Sequence, residues 1–128
     1  MKFTKTTLKT AKKSDNQKPR FSLIPQLAMV EVIKGFEHGA IKYGQYNYSN
    51  GIENTRLLDA AWRHMNAYLS GEDIDESGVE HLALIACNCL MALDNKLTGN
   101  EIDNRNAVYK KIKKQLENVN KNKRSSTR

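Results

Sequence analysis

Apolar residues recur at helical spacing along most of this chain, and no segment shows the strict alternation that is typical of a β-strand. Residues that start or end helices, such as Pro25 and Gly99, stand near the ends of these patterns. The four predicted helices span residues 25–42, 55–69, 77–96 and 101–119. Because their connections are short, the sequence predicts an all-α fold, a four-helix bundle.

The third helical pattern is apolar on every side and is interrupted only by Asn88, which places it at the centre of the bundle. A dense group of carboxylates directly precedes it. The group consists of Glu72, Asp73, Asp75, Glu76 and Glu80. A helix N-terminus favours one or two acids, but five in nine residues repel one another unless a cation or a substrate compensates them.

The charge of the 128-residue chain is unevenly distributed. The net charge is +7, yet the basic residues concentrate in residues 1–20 and 105–128, which leaves residues 21–104 with five Lys/Arg against twelve Asp/Glu. An acidic middle favours a cationic ligand over naked phosphate. We predict a flexible basic arm over residues 1–17, a single domain over 18–119 and a basic disordered tail over 120–128.

The cysteine content and the absence of long apolar runs bear on location. Cys87 and Cys89 lie two apart on one predicted helix, so their side chains diverge and cannot bridge each other. Unpaired cysteines are typical of a reducing compartment, and no run resembles a signal peptide or a membrane span. The sequence therefore predicts a cytoplasmic protein that does not enter a membrane.

The first two helices carry polar residues close to their apolar stripes. Glu37 falls on the predicted inward stripe of the first helix with its apolar members, Val30, Ile33, Ala40 and Ile41. It either pairs with a lysine or holds a ligand. On the second helix the predicted inward stripe consists of Leu58, Trp62, Met65 and Leu69. Asp59 and Arg63, four residues apart, form either an exposed ion pair or part of a site.

Three further polar residues lie on apolar helix faces. His64 shares a face with alanines on the second helix, where a histidine is more often a packed core residue than a ligand. His81 and Asn88 are two turns apart on the third helix. An unpaired buried amide costs about 1–3 kcal/mol, so Asn88 bonds either to a neighbouring helix or to a ligand.

The segment 42–51 combines a cation, aromatic rings and amides. These groups build surfaces that stack on bases and touch phosphates, although an ordinary turn-rich loop has a similar composition. The residues in question are Lys42, Tyr43, Tyr46, Asn47 and Tyr48.

Several of these segments together resemble one known family. They are residues 18–25 (KPRFSLIP), 37–44 (EHGAIKYG), Asn47 and 57–64 (LLDAAWRH), followed by Gly71-Glu72-Asp73, Ser77-Gly78, His81-Leu82 and Asn88. Their order and spacing resemble the phage dATP/dGTP diphosphohydrolases, which are similar to the MazG-like all-α nucleoside triphosphate pyrophosphohydrolases. The resemblance covers residues 18–96. Tyr48 and Leu84 depart from it, since Trp and a second His are usual there.

The resemblance implies hydrolysis of a purine deoxynucleoside triphosphate, dGTP or dATP, to the monophosphate and pyrophosphate, aided by Mg²⁺ or Mn²⁺, in phage nucleotide metabolism within the host cytoplasm. Under this hypothesis the metal ligands come from Glu37, Asp59, Glu72, Asp75, Glu76 and Glu80. The substrate contacts come from Arg20, Lys42, Tyr43, Tyr46, Asn47, Tyr48 and Arg63. The catalytic candidates that orient water or a ligand are His81, Asn88 and His64.

Two other interpretations stay open. The basic ends fit a small phage protein that binds nucleic acid without sequence preference, and non-specific nucleic-acid contact through them is expected in any case. The second alternative is an inactive relative that serves as an oligomeric partner or an inhibitor. Self-association is predicted, because four short helices leave Trp62, Tyr68 and the faces that carry Met with little to cover them.

Overall fold

The computed structural model describes residues 10–126, with the side chains of all these residues except 107, 108 and 126. Its helices are α1 (Gln26–Tyr43), α2 (Asn54–Leu69), α3 (His81–Thr98) and α4 (Ala107–Ser126), with 3₁₀ turns at Phe21–Leu23 and Asn47–Asn50. The described residues contain isolated bridges but no strand. The predicted all-α fold of four helices is confirmed. None of these helices combines the length and hydrophobicity that a membrane span needs.

Helix α3 is the centre of the packing, as its apolar composition predicts, and both α1 and α2 lie against it. Ala83 and Cys87 of α3 are buried with Val32 of α1 and with Val79, which precedes α3. On the α2 side Leu57 and Ala61 are buried. Small residues at these contacts bring the helix backbones close together.

Gly35 marks the closest approach of α1 to α3. A Cβ atom at this position would lie 2.6 Å from Cys87 Sγ, so only glycine fits without a shift. The Cys87 thiol donates to the carbonyl of Val32 at 3.2 Å. Burial raises the pKa of this thiol to about 11, so it stays protonated. A Cβ atom added at Gly39, one turn further along α1, would have no atom within 4 Å.

The predicted inward stripes of the first two helices are wrong for this chain. Ile41 of α1 is 88% exposed and Trp62 of α2 is 69% exposed, while Val32 and Leu57 are buried instead. The other members with large side chains are also exposed: Val30, Ile33, Leu58, Met65 and Leu69. Each helix has two apolar faces, and the face that packs inside contains a small buried residue, Gly35 on α1 and Ala61 on α2, which permits close contact.

Three predicted helix ends also shift. Thr55 does not cap α2, which begins one residue earlier, because its backbone N–H and hydroxyl bond the side chain of Asn104. Helix α3 begins at His81, not Ser77, because residues 74–80 form a hairpin. Glu101 does not start α4, since it accepts a hydrogen bond from Asn54 at the start of α2.

Helix α4 begins at residue 107 and extends past Val119 to Ser126. Its described side chains, from residue 109 to 125, are all exposed. The predicted division into arm, domain and tail stays a prediction, and residues 1–9 and 127–128 of the arm and tail lie outside the described residues.

Candidate metal centre

A tight hairpin between α2 and α3 builds one side of the site. The backbone N–H of Asp75 donates to Val79 O at 2.8 Å, and the N–H of His81 donates to Asp73 O at 2.9 Å. Gly78 allows the turn because its φ is +83°, a conformation that L side chains rarely adopt. The hairpin therefore places Asp75 beside the first turn of α3 and the last turns of α2.

Two histidines meet at this point. His64 Nδ1 of α2 lies 2.9 Å from His81 Nδ1 of α3. One of the two nitrogens must donate and the other accept, so the pair shares one proton in the absence of another ligand. Asp75 Oδ1 lies 3.9 Å from His64 Nδ1. One ligand atom from each of these three residues lies within 4.8 Å of the others.

The environment of the cluster favours the cation-binding forms of His64 and Asp75, the neutral imidazole and the ionised carboxylate. Burial lowers the pKa of His64, against the opposing effect of Asp75, so the ring stays neutral with a free lone pair. For Asp75, burial alone would raise the pKa. The hydrogen bonds from Ser77 outweigh burial and lower the pKa of Asp75, which keeps the carboxylate ionised.

The buried ring of His81 supplies a test of whether a metal fits. Its Nε2 is buried without a hydrogen bond among the described residues, although Glu72 Oε2 lies 3.2 Å away. If Nδ1 binds a metal, Nε2 carries the proton and faces Glu72, as in the carboxylate–histidine–metal arrangement of many sites. The two Nδ1 atoms lie 2.9 Å apart, close enough for both to be ligands of one ion.

An open cleft of about 350 Å³ contains this cluster. Its lining combines one cation with acidic, histidine and alanine side chains: Arg63, His64, Ala67, Glu72, Asp75, Glu76 and His81. The cleft can thus offer nitrogen and oxygen ligands to a cation and one guanidinium to an anion.

Comparison with known proteins agrees with the resemblance drawn from the motifs. The family model of dATP/dGTP diphosphohydrolase, N-terminal, matches residues 9–105. The chain belongs to this family. The match includes α1, α2, α3 and the hairpin but ends before α4. Searches of curated proteins and of solved structures returned no match.

In this member of the dATP/dGTP diphosphohydrolase family, six of the residues predicted for the site lie together in the cleft. These are His64 and His81 among the catalytic candidates, Glu72, Asp75 and Glu76 among the metal ligands, and Arg63 among the substrate contacts. Of the other predicted metal ligands, Glu37 and Asp59 are exposed on α1 and α2, and Glu80 is half-buried before α3; none of the three lines the cleft.

The amide of Asn88 bonds within its own helix, which neither predicted alternative describes. Its Nδ2 donates to the carbonyl of Leu84 at 2.8 Å, one turn earlier in α3. This local bond satisfies the donor without a partner helix. A catalytic role for Asn88 stays a prediction.

The remaining predicted substrate contacts lie away from the cleft. Tyr48 donates to Asp94 at 3.1 Å, and its carbonyl accepts from the fully buried Asn95 at 3.0 Å. Asp94 and His81 are thirteen residues apart on α3, which is about 20 Å along the helix. Tyr48 therefore does not reach the cleft of its own chain. Arg20, Lys42, Tyr43, Tyr46 and Asn47 are exposed and do not line the cleft.

The anchoring of segment 47–50 by Asn95 is absent from the sequence-based prediction. Asn95 is the only described large side chain that is fully buried. Its position in an apolar helix, seven residues after Asn88, is the one signal that points to it.

The lowered pKa of His64 predicts a pH dependence of stability in chelator-treated protein. The free energy of unfolding should fall as the pH decreases below about 6.5, because the unfolded chain binds a proton that folded His64 resists. Urea unfolding at pH 7.5 and pH 5.5 measures this change. His64→Asn should flatten the decline and the matched change of exposed His38 to Asn should not. An equal decline in both variants would contradict the assignment.

Proposed function

We propose that this chain hydrolyses a purine deoxynucleoside triphosphate, dGTP or dATP, to the monophosphate and pyrophosphate at the cleft between α2, the hairpin and α3. The observation that carries the proposal is the convergence of His64, Asp75 and His81 on one point beside Arg63. Membership in the dATP/dGTP diphosphohydrolase N-terminal family supports the substrate class.

His64, His81 and Asp75 would hold a divalent ion, with Glu72 orienting His81 from its far nitrogen. Two imidazoles favour Mn²⁺ or a similar transition metal over Mg²⁺, which prefers oxygen ligands. When bound, such an ion neutralises triphosphate oxygens and makes water more acidic.

Other side chains of the cleft bind the phosphates and accept the proton of the water. Arg63 binds phosphate oxygens through its guanidinium. Glu72 or Glu76 accepts the proton of the attacking water, since both carboxylates line the cleft and Glu72 is largely exposed. The water oxygen bonds to the α-phosphorus, and the bond from that phosphorus to the bridging oxygen breaks. Pyrophosphate leaves with the electron pair.

Purified chain incubated with dGTP or dATP tests the proposal. With Mn²⁺ we expect the deoxynucleoside monophosphate and pyrophosphate, loss of turnover with excess chelator, and recovery when Mn²⁺ is restored. Water labelled with ¹⁸O should place the label in the monophosphate, because attack occurs at the α-phosphorus. Release of inorganic phosphate or triphosphate, or no turnover with any divalent ion, would refute the proposal.

We also propose that Glu37, Asp59 and Glu80 are not needed for the ion, because they lie outside the cleft. Asp59→Asn tests this point most directly, since Asp59 is exposed on the same helix as His64. Turnover close to that of the unmodified chain is expected. A loss as large as that from a change of Asp75 would restore Asp59 as a ligand.

A further inference from the structure

Helix α4 carries an apolar stripe that the described residues of its own chain leave uncovered. Tyr109, Ile112, Leu116 and Val119 recur every three or four residues, so they lie on one side of the helix. They are between 44% and 67% exposed. An amphipathic helix of this kind gains its stability by burying such a stripe. The family match ends before α4, so the proposed activity does not account for it.

Helix α2 carries a second exposed stripe of the same form. Leu58, Trp62, Met65 and Leu69 follow intervals of four, three and four residues, on the face of α2 that does not pack against α3. The α4 stripe spans eleven residues and the α2 stripe twelve, a rise of about 15–17 Å along each helix. Apolar residues that alternate between three- and four-residue spacing are the pattern with which two helices pack lengthwise.

The charges of the two partners are complementary. Residues 107–126 contain seven Lys/Arg against Glu117, whereas residues 21–104 contain five Lys/Arg against twelve Asp/Glu. The acidic hairpin 72–76 begins three residues after the end of the α2 stripe. A basic helix laid on α2 therefore reduces the repulsion among these acids.

We propose that α4 of one copy packs lengthwise on the exposed stripe of α2 in a second copy, so that two chains exchange their C-terminal helices. Within one chain, Asn104 is bonded to Thr55 and Glu53 at the start of α2, and α4 begins three residues later with its stripe facing solvent. The exchange covers both stripes twice, once in each half of a symmetric dimer. It is independent of the hydrolytic activity.

Light scattering and the fluorescence of Trp62 together test this arrangement, because Trp62 is the only tryptophan and lies in the α2 stripe. The unmodified chain should have twice the 14.6 kDa mass of one chain. Its tryptophan emission should be shifted to the blue. Leu116→Asp should give a monomer at the same micromolar concentration, with the emission shifted to the red. Met65→Asp should have the same effect on mass from the α2 side.

Matched controls place the same charge on other faces. Asn118→Asp lies on the polar side of α4, and Asn66→Asp is adjacent to Met65 on α2. Both should remain dimers. A monomeric mass for the unmodified chain would overturn the proposal. A monomer with blue-shifted emission would mean that the stripes pack within one chain. A monomer whose α4 binds anionic vesicles or DNA would mean that the helix has a different partner. A dimer whose mass and emission Leu116→Asp leaves unchanged would overturn it too.

Discussion

Asp75→Asn is expected to reduce the kcat for dGTP hydrolysis by about a hundredfold or more, with little change in helix content. Asp75 is the one carboxylate in the cluster with His64 and His81, so its loss removes the negative charge that attracts the ion. Asparagine keeps the shape of the side chain and an oxygen that accepts from the Ser77 N–H. Pyrophosphate release measures the rate, and titration with Mn²⁺ measures affinity, which should weaken in parallel.

Asp73→Asn is the matched control for this result. It makes the same change of one charge two residues earlier in the hairpin, and Asp73 contributes its backbone carbonyl, not its side chain, to the bond with His81. Turnover within about twofold of the unmodified chain is expected. Equal losses from both variants would mean that the net charge of the hairpin matters and that Asp75 has no special position.

Gly35→Ala is expected to destabilise the fold by about 1–3 kcal/mol, because the added Cβ would lie 2.6 Å from the buried Cys87 Sγ. Gly39→Ala should act in the opposite direction. It adds the same methyl group to the same helix where nothing lies within 4 Å, so the helix propensity of alanine should stabilise the fold by about 0.5–1 kcal/mol.

Urea unfolding of the two variants measures the difference, with the slope of the transition checked for constancy. A double change of Gly35 to Ala and Cys87 to Ala should recover part of the loss, because it removes the opposing sulfur. If Gly35→Ala is as stable as Gly39→Ala, α1 and α3 do not approach as closely as the structure places them.

The sequence predicts the elements of this fold better than their orientation. Apolar periodicity correctly locates α1, α2 and α3, but it cannot distinguish two apolar faces of one helix. On α2 the sequence pattern predicts that the stripe with Trp62 faces inward, but the face with Leu57 and Ala61 is the buried one. The choice depends on how closely backbones approach, which is a property of the partner helix as well.

In the candidate site, too, the sequence identifies some residues but not how they are arranged. The sequence names both His64 and His81 as catalytic candidates, and they meet because they lie on either side of the connection between α2 and α3. Asp75 is one acid among five, and only the hairpin bonds single it out. The segment around Tyr48 is adjacent to α1 along the chain, but its anchor on Asn95 places it at the far end of α3.

The form of the hairpin depends on main-chain hydrogen bonds, whereas the proposed chemistry of the site depends on its side chains. Since the bonds of Asp75 with Val79 and of His81 with Asp73 use backbone atoms, the hairpin keeps its form when other side chains change. Glu72 and Glu76 can therefore be exchanged for neutral or basic residues without rebuilding the scaffold. Their proposed chemical roles can consequently be altered one at a time against a backbone of constant form.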